Sequence, residues 1–359
     1  MSKHSSDKQA LLSLVQKLRT NHDLTDEELF FLVESIDEDV LQHLCRNAAA
    51  TACQVYGNSI YIRGLIEYTN YCPNDCYYCG LRRDNANVHR YRLTKEQILQ
   101  CCRQGYQLGF RTFVLQGSED PFFDDDTMED IVFSIRKMFP DCAITLSLGE
   151  KTKDAYQRLY AAGANRYLLR HETATESHYN QLHPKEMSFS KRMQCLRDLK
   201  EIGYQVGCGF MVGSPYQTTE HIVRDLRFIK EFQPHMVGLG PYIPQQDTPF
   251  AKETAGTLKA TIKALALVRL LHPMVLLSAT TALSTIDTSG REKGILAGAN
   301  VVMPNLSPTE NRKDYQLYDN KLYTGEEAAQ GLYQLKSQME AIGYQVVTRR
   351  GDYKSLEEN

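Results

Sequence analysis

The chain has no excess of either charge: 41 Lys and Arg stand against 44 Asp and Glu, a formal net charge of −3 over 359 residues. That balance gives no electrostatic hold on nucleic acid or on an anionic membrane surface. The opening stretch MSKHSSDKQALLSLVQK contains no apolar run long enough for a signal peptide or a membrane span. A cytoplasmic setting is expected, with neither membrane nor nucleic acid as partner. No low-complexity linker interrupts the chain, so one main domain is expected. His89, His171 and His183 lack metal-ligand spacing, and no cysteine follows Cys208. Without secretion the ten cysteines have no reason to form disulfides. Seven of them (Cys45, Cys53, Cys101, Cys102, Cys142, Cys195, Cys208) read as small buried hydrophobes or inert thiols. Cys101 and Cys102 are adjacent on a helix and point in different directions.

The other three are concentrated in CPNDCYYCG, where Cys72, Cys76 and Cys79 bring three thiolates into one short loop. Four thiolates would saturate an iron–sulfur cluster; three leave one iron of a cubane free to bind another molecule. Zinc is the alternative occupant, but it usually takes four tetrahedral ligands, and no matching CxxC or His pair lies elsewhere. The acidic run FFDDDTMED is weighed against metal binding as an ordinary helix start, where Asp caps the chain and meets the dipole.

Helical patterns come first, at about 5–20, 25–34 and 38–56, the second opened by a Thr25/Glu28 capping box. Apolar or β-branched runs follow near 60–68, 111–116, 142–148, 165–171, 205–211, 235–240, 274–280 and 299–303. Helical stretches alternate with them, and several end in Gly just before a strand, as in AGANRY and IGYQVG. Eight strands alternating with helices predict parallel pairing and a (β/α)8 TIM barrel. The expected domains are a helical extension over 1–56, the barrel over 57–345 and a tail over 346–359, with a last helix at 325–341 and a strand-like YQVVTRR. Chemistry in such barrels sits where strands end. Here those ends carry the cysteine loop, Gln116-Gly117-Ser118-Glu119-Asp120, Ser147, Arg170-His171-Glu172-Thr173, Met211-Val212-Gly213, Gly240-Pro241, Thr280-Thr281 and Met303-Pro304-Asn305. Polar groups collected at one mouth above an apolar barrel make a ligand site.

CxxxCxxC after the first strand resembles the signature of radical S-adenosylmethionine (SAM) enzymes. In that superfamily the open iron binds the amino and carboxylate groups of SAM, whose reductive cleavage gives a 5′-deoxyadenosyl radical. CGLRRDN, RYRLT, GSEDP, TLSLGE, RYLLRHET, MVGSPYQT, PYIPQQDTP, ATTA and GANVVMPN together resemble the FeFe-hydrogenase maturation enzymes of the HydE family, over about residues 55–345. Methylornithine synthase and biotin synthase share part of these blocks; RHET, ATTA and MPN-x-SP point to the maturase. The resemblance implies a radical SAM type of barrel, one 4Fe-4S cluster on Cys72, Cys76 and Cys79, SAM as cofactor, and a role in assembling the binuclear iron part of the hydrogenase H-cluster. The implied partners are a small iron-containing substrate delivered by a sister maturase, an electron donor, a maturation GTPase or scaffold, and the apo-hydrogenase. Two alternatives remain: an amino-acid carbon-skeleton or sulfur-insertion enzyme, and a non-catalytic iron–sulfur carrier.

Carried over residue by residue, the resemblance assigns Tyr78, Gln116, Glu119, Thr145, Ser147, Glu172 and Arg192 to SAM. An aromatic face at Tyr78 suits a base, a packing tyrosine being the alternative. The Glu172 carboxylate suits two ribose hydroxyls, with an ion pair to Arg166 or Arg170 as the other reading. The Arg192 guanidinium suits a carboxylate; alone it would read as a solvated helix face. Arg170, Met236, Thr280, Thr281 and Tyr315 match the lining of the family's substrate cavity, where core packing is the alternative. Two departures stand out. Relatives more often read Gln-Ser-Gly-Glu-Asp, so the order Gly117-Ser118 suggests an altered backbone path before Glu119. Many members also carry three cysteines near the C-terminus for a second cluster, which this chain lacks.

Overall fold

The computed structural model describes residues 3–322 and 328–354. Positions 325–327 of the expected last helix, 355–359 of the tail and 1–2 of the extension lie outside the described residues. Among the described residues twelve strands are formed: β1 (Ser59–Ile62), β2 (Gly64–Thr69), β3 (Thr112–Gly117), β4 (Ala143–Ser147), β5 (Arg166–Leu168), β6 (Gln205–Cys208), β7 (Met211–Val212), β8 (Met236–Val237), β9 (Gly240–Pro241), β10 (Leu276–Leu277), β11 (Val301–Val302) and β12 (Gln345–Val347). Seven pair in parallel in the order β10-β8-β6-β5-β4-β3-β2. Parallel bridges Ser278–Val301 and Leu65–Asn305 then carry β11 and the residues after it between the two outer strands. The curled sheet is thus closed into an α/β barrel, as the alternation of elements predicts.

The strands are short and, along most of their length, buried on both faces, which is why they read as continuous apolar runs rather than alternating ones. Helices between them start on side-chain caps. Thr25 and Glu28 form the expected reciprocal box, Thr94 and Gln97 form another, and Asp124 accepts from Thr127 N, so FFDDDTMED is a helix cap. Gly203 ends the helix Phe189–Ile202 at φ +105, a conformation a Cβ would resist.

The N-terminal helices Lys3–Asn21, Asp26–Glu34 and Glu38–Tyr56 dock outside the barrel on the helices Thr219–Phe232 and Leu258–Leu271. Arg227 ties the junction by donating to Asp23, Asp26 and the Leu24 carbonyl. Among the described residues no helix is long and apolar enough to cross a membrane.

At the base of the barrel, β12 pairs in parallel with β1 and the chain after it turns under the strands. There the buried Arg166 guanidinium reaches Asp352 Oδ1 at 2.7 Å and the carbonyls of Arg350 and Gly351. His235 and His272 flank Tyr353, with ring centroids at 4.8 and 6.0 Å. Burial pushes both histidines down to about 4, and His183, near the mouth, down to about 3. Unfolded, each would titrate near 6.5, so between that value and the folded one the unfolded chain binds more protons. Their contribution is complete above about pH 6.5 and is lost as pH falls toward about 4. Urea unfolding is expected to show stability falling by several kcal/mol between about pH 7 and pH 5; a flat profile would contradict it.

Candidate active site

β2 ends at Thr69, and a long loop leads from it to the helix Lys95–Gln107. Side chains that do not depend on the cysteines hold this loop. The Arg90 guanidinium donates to the carbonyls of Asn70, Leu81 (2.9 Å), Arg82 (2.7 Å) and Asn85 (3.2 Å). Arg92 makes a bidentate pair with the buried Asp120 at 2.7 and 2.9 Å, and Asp120 also accepts from Thr69 Oγ1. Gly80 lets a strap of chain press down beside Cys79, because a Cβ there would lie 2.2 Å from Gln316 O.

Cys72, Cys76 and Cys79 are free thiols, half-buried side by side at the mouth. Burial raises all three pKa values, Cys79 to about 12, and the negative charge of the neighbouring thiols raises Cys76 and Cys79 further. Metal binding there must therefore displace protons. Among the described residues no three His, Cys, Asp or Glu side chains converge tightly enough for a single metal ion. A cubane, which puts each thiolate on its own iron, does not need them to. The donor set of three soft thiols with no fourth fits a cluster with one open corner.

Several expected cofactor residues face these thiols. Tyr78 packs with Leu182, Met211, Tyr242 and Phe250. Its hydroxyl lies 3.1 Å from His183 Nε2, while His183 Nδ1 contacts Tyr179 O at 2.9 Å. Burial raises the Tyr78 phenol, and the charges of Glu172 and Cys76 raise it further, which places all three together. Glu172 is buried at φ +64. Its Oε2 is 3.3 Å from Arg170 Nη2, yet neither atom has an aligned hydrogen bond, and Arg170 Nε and Thr280 Oγ1 also lack partners. Buried polar atoms left this way call for a further partner, a ligand or a water. Arg192, nearly buried, donates to Glu150 Oε1 at 2.6 Å and to Arg170 O at 2.7 Å. Burial works against its charge, but Tyr179 and Glu150 outweigh it and the pKa is raised.

Glu119 Oε1 accepts from Glu150 N at 3.0 Å, over Gly149, whose missing Cβ leaves room for it. Its backbone N–H lies beside the Cys72 thiol. A cavity of about 270 Å³ opens here between the ends of β3 and β4, lined by Tyr68, Glu119, Asp120, Glu150 and Lys151. Neither Gly117 nor Ser118 has a left-handed φ. Gly117 answers a different need: a Cβ would meet the Tyr68 ring at 2.5 Å.

Gln116, Ser147 and Tyr315 form the upper wall of the barrel. Gln116 is level with Glu67 and Ser147 across the strands, and its side chain bonds the buried Tyr315 phenol. Thr280 and Thr281 open the helix Thr281–Ile286, with Thr280 packed over Gly240. Thr145 and Met236 lie deeper. They share a small cavity of about 10 Å³ with Arg63 and Arg166, away from the thiols. Arg63 Nη1 is 2.6 Å from the Met236 sulfur, and Arg63 Nε and Nη2 and Thr145 Oγ1 have no partner.

Sequence reasoning missed Glu67, Arg63, Glu150, His183 and Lys321. Glu67, fully buried, accepts from Lys321 Nζ at 2.5 Å and Asn305 Nδ2 at 2.8 Å. A signal existed: a lone acid inside the strand GLIEYT needs a partner. Its partner, 254 residues away, left no such trace.

Residues 66–229 match the Radical SAM superfamily. The chain is 48% identical over 266 residues to the [FeFe] hydrogenase maturase subunit HydE of Thermotoga maritima, covering 74% of this chain and 76% of that one. The structure of methylornithine synthase (PylB) superposes with a TM-score of 0.82 at 25% identity, over 93% of this chain and 97% of the other. HydG, a maturase of the [FeFe]-hydrogenase, gives a TM-score of 0.79 at 21% identity over 94% and 75%, a likeness of fold.

Proposed function

The chain belongs to the HydE family of radical SAM [FeFe] hydrogenase maturases, and from that premise we propose that it cleaves SAM reductively while assembling the binuclear iron part of the H-cluster. The family's cofactors are a 4Fe-4S cluster and SAM, and we assign one cluster to Cys72, Cys76 and Cys79. When bound, these groups supply a 5′-deoxyadenosyl radical, with the electron coming from an external one-electron donor. The protein's part is to bind, orient and shield. Tyr78 offers a ring face to the adenine, and the Glu172 carboxylate accepts from the ribose hydroxyls. Arg192 keeps its Nη2 for the SAM carboxylate, while Glu119, Gln116 and Ser147 provide polar contacts at the strand ends.

Arg170, Thr280, Thr281 and Tyr315 then face a substrate held below SAM. Thr145, assigned to SAM by sequence, sits with Met236, Arg63 and Arg166 and is better read as part of the floor beneath that substrate. Unpartnered guanidinium and hydroxyl groups there suit an anionic, iron-containing small molecule delivered by a sister maturase. Scaffold GTPase and apo-hydrogenase would receive the product.

The observation that carries this reading is the meeting of three half-buried thiols with Tyr78, Arg192 and Glu172, whose contact to Arg170 leaves the facing atoms without a hydrogen bond. Anaerobically reconstituted protein is expected to give a reduced-cluster EPR signal that changes when SAM is added. A cluster-bearing protein whose signal ignores SAM would sink the proposal. The backbone likeness to PylB favours a second reading, formation of methylornithine. Apo-hydrogenase activation in vitro separates the two, since a methylornithine synthase would leave the hydrogenase inactive.

A further inference from the structure

Five non-glycine residues have left-handed φ among the described residues, and Glu172 alone of them is buried. A side chain with a Cβ holds that conformation only where its surroundings over-determine it. The surroundings here are specific. Glu172 N donates to Gly209 O at 3.0 Å, and Glu172 bridges Phe210 in parallel. Gly209 N in turn donates to His171 Nδ1 at 3.2 Å. With Nδ1 accepting, a neutral imidazole carries its proton on Nε2, which lies 3.3 Å from Asp225 Oδ1. That contact lies within reach of the carboxylate but without full hydrogen-bond alignment.

The same Asp225 oxygen accepts from Ala174 N at 2.5 Å. One carboxylate oxygen therefore ties residues 171 and 174, the two sides of Glu172. His171 and Asp225 are both fully buried, with the His171 ring 4.7 Å from Phe228 and 5.9 Å from Phe210 between centroids. Neither residue reaches the mouth.

We infer that Asp225 and His171 are positioning residues that hold the left-handed turn at Glu172 and so aim its carboxylate into the SAM site. The inference rests on the proposed role of Glu172 toward the ribose. Asp225 Oδ2 has no partner, so an asparagine can put its amide there and keep the accepting oxygen in place. Asp225→Ala removes the tie altogether. His171→Asn keeps an acceptor for Gly209 N and gives up the reach to Asp225.

The test uses cluster-reconstituted full-length protein and measures SAM affinity by equilibrium dialysis, with iron content and melting temperature in parallel. Asp225→Ala and His171→Asn are each expected to weaken SAM about tenfold, a loss that small displacements of a positioning group produce. Asp225→Asn should stay within about twofold of wild type, and iron content should not change. The preference for SAM over its 2′-deoxyribose analogue should shrink in Asp225→Ala, a readout that general loosening would not move selectively. Wild-type affinity in both Asp225→Ala and His171→Asn would overturn the inference. So would equal weakening of Asp225→Ala and Asp225→Asn, or a loss that leaves the preference intact. Glu172→Gln separates the two layers. If it binds SAM normally, the ribose role falls and the inference with it; if it binds weakly while the Asp225 and His171 variants bind normally, only the positioning role falls.

Discussion

Cys79→Ser is expected to lower SAM cleavage by at least about a thousandfold, because removing one member of a group that acts as a unit removes nearly the whole effect. A serine hydroxyl is a hard, weakly acidic donor and a poor substitute for thiolate on iron. The chain supplies no other nearby thiol: the remaining seven cysteines lie elsewhere in the fold, five of them buried. The loop itself should persist. Arg90 still gathers its four carbonyls, and Arg92 still holds Asp120. The anaerobic apo-variant should therefore melt with apo wild type, while iron content after reconstitution and the SAM-responsive EPR signal collapse. Cluster-dependent SAM cleavage surviving in Cys79→Ser would refute the three-thiolate site. An iron carrier would give a different pattern, with iron retained in part and transferred to a partner without any SAM requirement.

How far the sequence led depends on whether a feature is local. The cysteine loop was legible because its chemistry lies in a spacing of residues. The barrel was legible because eight apolar runs each bury both faces. β5, however, holds only Arg166–Leu168, and β8, β10 and β11 are two residues each, so the apolar runs overstate the length of these strands. Their closure relies on bridges at Ser278–Val301 and Leu65–Asn305 rather than long ladders. Strand ends could be read as a mouth, but depth within the barrel could not. Ser147 and Thr145 are two residues apart and share one face of their strand, yet the rise along the strand sets them at different depths, and only the deeper one meets Arg63 and Met236. The turn at Glu172 was hidden for another reason. Nothing in RHET announces a left-handed glutamate, since what enforces it is Asp225, far along the chain on another helix.

Arg269→Met is expected to destabilise the fold by about 3–5 kcal/mol, the range for breaking a buried charged network, and to lower the melting temperature by roughly 5 °C. The residue sits in LKATIKALALVRLL, a helix buried almost all round, where an arginine would ordinarily turn to solvent. Instead its guanidinium is fully buried and donates to Gly298 O at 2.8 Å, Pro273 O at 2.7 Å, Val275 O at 2.6 Å and Asn300 Oδ1 at 3.1 Å. Burial lowers its pKa to about 10, partly offset by Tyr56 and Tyr344, so it stays charged at neutral pH. Those acceptors belong to the chain entering β10 and β11, the segments that close the barrel. Asn300 continues the tie, with its side chain accepting from Leu277 N and its backbone spanning Leu277 O and Tyr61 N. Methionine matches the volume but leaves three carbonyls without a donor, at about 1–3 kcal/mol for each that finds no water. Lysine restores the charge but has no planar fork, so Arg269→Lys should recover only part of the loss. All four contacts lie at the strand starts, opposite the thiols. Below its own melting temperature the methionine variant should therefore bind SAM with wild-type affinity. A variant that melts within about 2 °C of wild type would mean that water, not Arg269, satisfies these carbonyls.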